Sequence, residues 1–143
     1  MRSGFKIFDQ TALHFITSTI VEWIPVFTCD KYFKIIINSI IYSQKNKNLK
    51  VYSYVIMDNH FHMIVSAENL TDTLKSLKGY TAVKIIEELK SDNKEWILNQ
   101  FEYFKLKHKI KSNYQVWQES FHPQQISDDA MLQQKVDYIH FNL

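Results

Sequence analysis

Two histidines, His60 and His62, sit two positions apart in the otherwise apolar stretch HFHMIV (60–65). A strand has a side-chain period of two, so both imidazoles face one way while Phe61 and Met63 face the other. Two imidazoles on one rigid strand form a chelate for a divalent metal. Taken alone, a His-x-His pair reads more commonly as two polar residues on a solvated sheet face. Far along the chain, Tyr138 is followed four residues later by Asn142 and preceded one turn earlier by Gln134. On a helix these side chains share a face. A tyrosine hydroxyl can attack a phosphodiester and become a covalent phosphotyrosine. That attack needs a cation to polarise the phosphate, and a metal held by two histidines and an amide oxygen supplies one. Asn142 can provide the amide oxygen. Taken alone, Tyr138 beside Val136 and Ile139 reads as a core aromatic.

The elements that must bring these groups together are legible in outline. Residues 12–21 (ALHFITSTIV) are rich in β-branched and aromatic side chains and read as a strand. Pro25 then argues for an edge or a loop. Phe33, Ile36, Ile37, Ile40 and Ile41 fall at helical spacing, which predicts a helix over 30–43 with Thr28 or Asp30 as its cap. Residues 50–57 and 60–66 alternate as strands around the turn Asp58-Asn59, a hairpin. Thr71 is a cap for a long helix to about residue 90, with Leu74, Leu77, Thr81, Ile85 and Leu89 on one face and Gly79 weakening its middle. After SDNK (91–94) a further helical stretch carries Trp96, Ile97, Phe101 and Phe104. Residues 114–121 (YQVWQESF) read as a strand. Ser127 is positioned to cap a last helix over 128–142, whose first-turn Asp128 and Asp129 suit the helix dipole.

The resulting order, βαββα, a helical insertion, β, then a helix, is the ferredoxin-like βαββαβ pattern of the α+β class. Such a fold is an antiparallel sheet with helices on one face, here with a C-terminal helix carrying the tyrosine. That fold serves many activities, so function has to come from the site.

Composition sets wide bounds. The chain has 143 residues, enough for one domain; 45% are hydrophobic and 22% charged, a globular balance. The formal net charge of +2 is too mild to establish a nucleic-acid partner. Its distribution is more informative: Lys45, Lys47 and Lys50 flank one loop, and Lys105, Lys107, Lys109 and Lys111 form a second basic stretch. Both also read as solvated loops. A single cysteine, Cys29, excludes an intrachain disulfide. With no apolar run long enough to span a bilayer and no visible signal segment, the expectation is a cytoplasmic protein without membrane association.

The segment YVIMDNHFHMIV (54–65) resembles the signature of the HUH (His-hydrophobe-His) transposases: an apolar strand, a short turn ending in Asn, then His-hydrophobe-His. VWQESFHPQQI (116–126), followed by VDYIHFNL (136–143), is similar to the matching region of the REP-associated tyrosine transposases. There a Trp-Gln strand precedes a helix with a Tyr-x-x-x-Asn motif. LTDTLKSLKGYTAVKI (70–85) also has the family's look, so the resemblance spans nearly the whole chain. It implies His60 and His62 as ligands of a divalent metal, Mg²⁺ or Mn²⁺, with Tyr138 as nucleophile. Asn142 would be the third ligand, a position that a Gln holds in related single-tyrosine enzymes. The implied reaction is cleavage of single-stranded DNA beside a foldback hairpin, leaving a 5′-phosphotyrosine and a free 3′-hydroxyl, with rejoining by reversal. Relatives act as monomers or as homodimers. The family continues past the tyrosine helix with a Pro and a further segment, where Leu143 stands last here. The expectation is therefore one domain over 1–143, shortened at its C-terminus.

On the same resemblance the lysines at 105, 107, 109 and 111, with those at 45, 47 and 50, become candidates to track phosphates. Trp117 and Gln118 become candidates to stack on or hydrogen-bond a base, although Trp117 also suits a core. His14 reads as a satisfied structural histidine, His122 as a loop residue near the site, His140 as pointing away from it, and Cys29 as structural. Three other functions use the same residues: a binding protein that has lost catalysis, an unrelated His-x-His metallohydrolase, and a structural interaction domain.

Overall fold

The computed structural model describes residues 6–105 and 112–141. In chain order the elements are β1 (His14–Thr19), a 3-10 turn (Val21–Trp23), α1 (Asp30–Asn46), β2 (Lys50–Ile56), β3 (His60–Ser66), α2 (Leu70–Ser91), α3 (Glu95–Tyr103), β4 (Gln124–Gln125) and α4 (Asp129–Phe141). The sheet is antiparallel throughout, in the order β2-β3-β1-β4. This is the α+β architecture expected from the element order. Among the described residues no helix is long and apolar enough to cross a membrane.

Register assigns each side chain to a face. Ile16 pairs with Met63 and Ser18 with Phe61, while Phe15 pairs with Ile64, Thr17 with His62 and Thr19 with His60. By the period of two, Ile16, Phe61, Met63 and Val65 enter the main core. There α1 brings Tyr32, Ile36 and Ile40, α2 brings Leu70, Leu74, Leu77, Ile85 and Leu89, and α3 brings Ile97, Leu98 and Phe101. On the opposite face Phe15 and Ile64 pack against Ile139 of α4, with Leu132 and Val136 alongside. Positions 132, 136 and 139 form one apolar stripe of α4 at helical spacing. α4 thus closes over the face that carries both histidines.

Several local expectations are corrected. The cap of α2 is Asn69, whose side chain accepts from the Asp72 N–H, rather than Thr71. Asp128, not Ser127, caps α4: its Oδ1 accepts from the Met131 N–H at 2.8 Å. α1 begins after Cys29 with no side-chain cap bond, so neither Thr28 nor Asp30 fills that role. The segment 114–121 is not a strand; it meets the sheet at one bridge, Ile20 to Trp117. The Gln118 N–H bonds to the Thr19 carbonyl, so a regular ladder would next put residue 120 opposite Thr17. Instead the Thr17 N–H bonds to the Phe121 carbonyl, one residue late. The extra residue breaks the ladder as a bulge does. Nearby backbone groups are satisfied elsewhere: the Gln118 carbonyl accepts from Lys78 Nζ, and Ser120 Oγ accepts from the His122 N–H. The fourth strand is the short Gln124–Gln125 pairing with His14 and Phe15.

Candidate active site

The two-residue turn between β2 and β3 closes with the Met57 N–H donating to the His60 carbonyl at 2.7 Å. It is clamped from outside, since the Phe27 N–H bonds to the Asp58 carbonyl and the Ile20 N–H to the Asn59 carbonyl. His60 and His62 follow at once on β3. Their ring centroids are 4.8 Å apart, with the planes at 75°.

Each ring is held through Nδ1. His60 Nδ1 lies 2.7 Å from Asn59 Oδ1. Asn59 is oriented by its own Nδ2, which donates to the Trp23 carbonyl at 3.1 Å. Its oxygen therefore faces His60 and accepts the Nδ1 proton. His62 Nδ1 lies 2.8 Å from Thr17 Oγ1, across the β1–β3 pair. Anchoring Nδ1 orients each ring and leaves Nε2 to coordinate, as the outer partners of metal-bound histidines do. His62 Nε2 is buried and has no hydrogen-bond partner among the described residues. A buried ring nitrogen in that state costs free energy unless something binds it.

Electrostatics agree with that donor set. Burial pushes the His62 pKa down to about 4, helped by repulsion from His60 when that ring is protonated and from the Lys135 ammonium. His60 is also lowered by burial, partly opposed by the Asp58 carboxylate. Both rings are neutral at neutral pH, the form that ligates a metal. Among the described residues no third His, Cys, Asp or Glu completes a cluster with them. The residues present fit a divalent cation held by two imidazoles, with its remaining positions filled by neutral groups, water or substrate oxygens. Asn142, expected as third ligand, lies outside the described residues.

α4 lays Tyr138 over this pair. The Tyr138 ring is 5.2 Å from His62 and 5.8 Å from Phe15, edge-on to both, and Phe15 stacks on His62 at 5.2 Å. Tyr138 is 50% exposed, while its ring is held edge-on against His62 and Phe15. The fold therefore gathers His60, His62 and Tyr138 at one place, although His62 and Tyr138 lie far apart in sequence.

Other expected residues fall elsewhere. Trp117 is buried in the main core at 5% exposure, its indole N–H donating to Thr81 Oγ1 at 3.1 Å and its ring packed near Phe61 and Phe27. That leaves no free face for a base, and the ring serves as a core aromatic. Gln118 is half-buried beside it. Lys105 is half-buried just after α3, and Lys107, Lys109 and Lys111 lie outside the described residues. Lys45, Lys47 and Lys50 are exposed around the α1–β2 connection. His14 is buried with Nδ1 2.8 Å from the Ala12 carbonyl, a structural role. His140 pairs with Phe141, and Cys29 is exposed.

Four contributors, Phe15, Thr17, Asn59 and Lys135, were not found by sequence reasoning. Thr17 gave no local signal, because its partnership with His62 depends on strand register. Asn59 was visible only as a turn residue. Lys135, three residues before Tyr138, was within reach of the helical-spacing argument that linked Tyr138 to Asn142. Its ammonium lies 5.0 Å from the Phe15 ring centroid.

No family model and no curated protein matches the sequence. Solved structures do match. A REP-associated tyrosine transposase bound to a REP hairpin superposes with a TM-score of 0.67 at 15% identity, covering 99% of this chain and 72% of that one. A protein of Deinococcus radiodurans R1 assigned as a transposase superposes with a TM-score of 0.54 at 16% identity, covering 96% of each chain. The chain thus has the fold of the tyrosine transposases over nearly its whole length.

Proposed function

We propose that this protein cleaves and rejoins single-stranded DNA through a phosphotyrosine at Tyr138. The observation that carries the reading is the meeting of Tyr138 with the His60–His62 pair, whose buried Nε2 on His62 has no hydrogen-bond partner among the described residues. The shared fold supports it, and the solved neighbour's hairpin suggests the substrate class, single strands flanked by foldback hairpins.

In the forward step the Tyr138 oxygen attacks the scissile phosphorus. An O–P bond forms to the tyrosine, the bond from phosphorus to the 3′-oxygen breaks, and the phenolic proton is balanced by the proton gained on the released 3′-hydroxyl. The product is a 5′-phosphotyrosine, and reversal onto another 3′-hydroxyl rejoins strands with no external energy source. When bound, Mg²⁺ or Mn²⁺ supplies Lewis-acid polarisation of the phosphate. His60 and His62 are its ligands in this reading, with Asn142 as third. Thr17 and Asn59 hold the two rings in place. Phe15 excludes water from one side of the site and fixes the edge of Tyr138.

The test is covalent capture. Purified protein is incubated with Mn²⁺ or Mg²⁺ and labelled hairpin-flanked single-stranded oligonucleotides, then run on a denaturing gel. A metal-dependent adduct is expected with wild type and none with Tyr138→Phe. Binding without any adduct would instead support a binding protein that has lost catalysis. Metal-dependent cleavage that survives Tyr138→Phe would favour a metallohydrolase using a bound water.

A further inference from the structure

Phe15 is the hub of the site. His62 stacks on it at 5.2 Å, Tyr138 meets it edge-on at 5.8 Å, and the Lys135 ammonium sits 5.0 Å from its centroid. Lys135 and Tyr138 are one turn apart on α4, so one helix face delivers a phenol and a cation around one ring. Among the described residues Lys135 takes part in no ion pair. Its charge also reaches His62, where it is one of the causes that lower the pKa.

An ammonium here needs a reason. Its contact with the ring is worth only about 0.5–1 kcal/mol at a partly exposed site. A positive charge close to imidazoles that ligate a dication repels the metal. An anion lying between the two cations reverses the sign, since each then attracts the same group. The anion that the proposed reaction brings to this point is a phosphodiester.

We infer that Lys135 is a further catalytic residue, whose ammonium holds a non-bridging oxygen of the scissile phosphate while Tyr138 attacks. This rests on the DNA-cleaving reading of the site. In the attack, negative charge builds on the non-bridging oxygens as the new O–P bond forms and the bond to the 3′-oxygen breaks. A cation fixed beforehand stabilises that charge more than the ground state, without reorganisation at the moment of reaction. The contact between the Lys135 ammonium and the Phe15 ring supplies the fixing.

The experiment is single-turnover adduct formation with saturating hairpin-flanked oligonucleotide and Mn²⁺, comparing wild type, Lys135→Gln and Lys135→Arg. The rate is expected to fall roughly 10²–10³-fold in Lys135→Gln, as for loss of one transition-state donor, and to recover in part in Lys135→Arg. A second substrate carries a neutral methylphosphonate at the scissile position. There the ground-state charge is gone and only one oxygen gathers charge during attack, so the gap between wild type and Lys135→Gln should be much smaller than on the phosphodiester. Mn²⁺ titration without DNA should show Lys135→Gln binding metal as tightly as wild type or more so. If wild type forms adduct and Lys135→Gln forms it as fast, Lys135 has no part in the chemistry and the DNA-cleaving reading still stands. An equal loss on both substrates would also overturn the inference, because a merely structural residue does not sense the phosphate charge. No adduct with wild type would remove the DNA-cleaving reading and this inference with it.

Discussion

A histidine carried into an apolar sheet face is held neutral, and His62 is such a case, with a pKa pushed from 6.5 to about 4. The sign of the linked effect on folding follows from which state takes up the proton first. In the unfolded chain His62 protonates near its ordinary pKa, and in the folded protein only near the lowered one. Stability present above pH 6.5 is therefore lost as pH falls toward about 4, and the loss levels off below that. Urea midpoints of the metal-free protein should decline across this window, and the decline should be shallower in His62→Gln. Equal slopes in the two proteins would show that His62 titrates as an exposed residue. Occupation of Nε2 by a metal should raise the midpoint at neutral pH, since the ligand binds only the folded state.

α4 is the element on which the site depends most, and it is attached by few residues. Ile139 is 4% exposed between Phe15 and Ile64, with Leu132 and Val136 along the same stripe. Its first turn is secured by Asp128 and by the Leu132 N–H bond to the Asp128 carbonyl. Ile139→Ala should weaken docking by about 2 kcal/mol, the low end for a large-to-small core change, because this cluster is small. Hydrogen exchange should then speed up in α4 while β1 and β3 keep their protection, and adduct formation should fall with Tyr138 no longer fixed over His62. Uniform acceleration across the sheet would show that α4 and the main core form one cooperative unit.

Two apolar clusters lie on opposite sides of one sheet. The larger joins α1, α2 and α3 to the sheet and supplies most of the burial; the smaller seats α4 beside the histidines. Stability and chemistry are thus largely assigned to different faces, and the site can be altered without dissolving the core. With a net charge of only +2, affinity for a nucleic acid must come from local charge rather than from the overall field. If Lys105, Lys107, Lys109 and Lys111 track phosphates, replacing all four by Gln should weaken binding of single-stranded DNA. It should also flatten the dependence of affinity on salt, by about 0.7 per lost contact in the log–log slope. Unchanged affinity and slope would exclude that stretch from the interface.

Much of this was legible in the order of residues. Strand and helix periods are local, so His60 and His62 could be placed on one face of a hairpin strand. Tyr138 could be placed on a helix, and the βαββ core could be drawn before any coordinates. Other features depended on neighbours distant in sequence. The strand expected over 114–121 looked correct by composition, yet Trp117 is drawn into the core beside Phe61 and Thr81, and the ladder slips by one residue at Phe121. Caps were misplaced by one or two residues, because Ser, Thr, Asn and Asp all qualify in sequence and only backbone geometry selects among them. That Thr17 holds His62, that Asn59 holds His60, and that Phe15 gathers His62, Tyr138 and Lys135 were decided by strand register and by the seating of α4. Local pattern reports which face a side chain takes. Which other face it meets is set by long-range packing, and no periodicity within one segment encodes that.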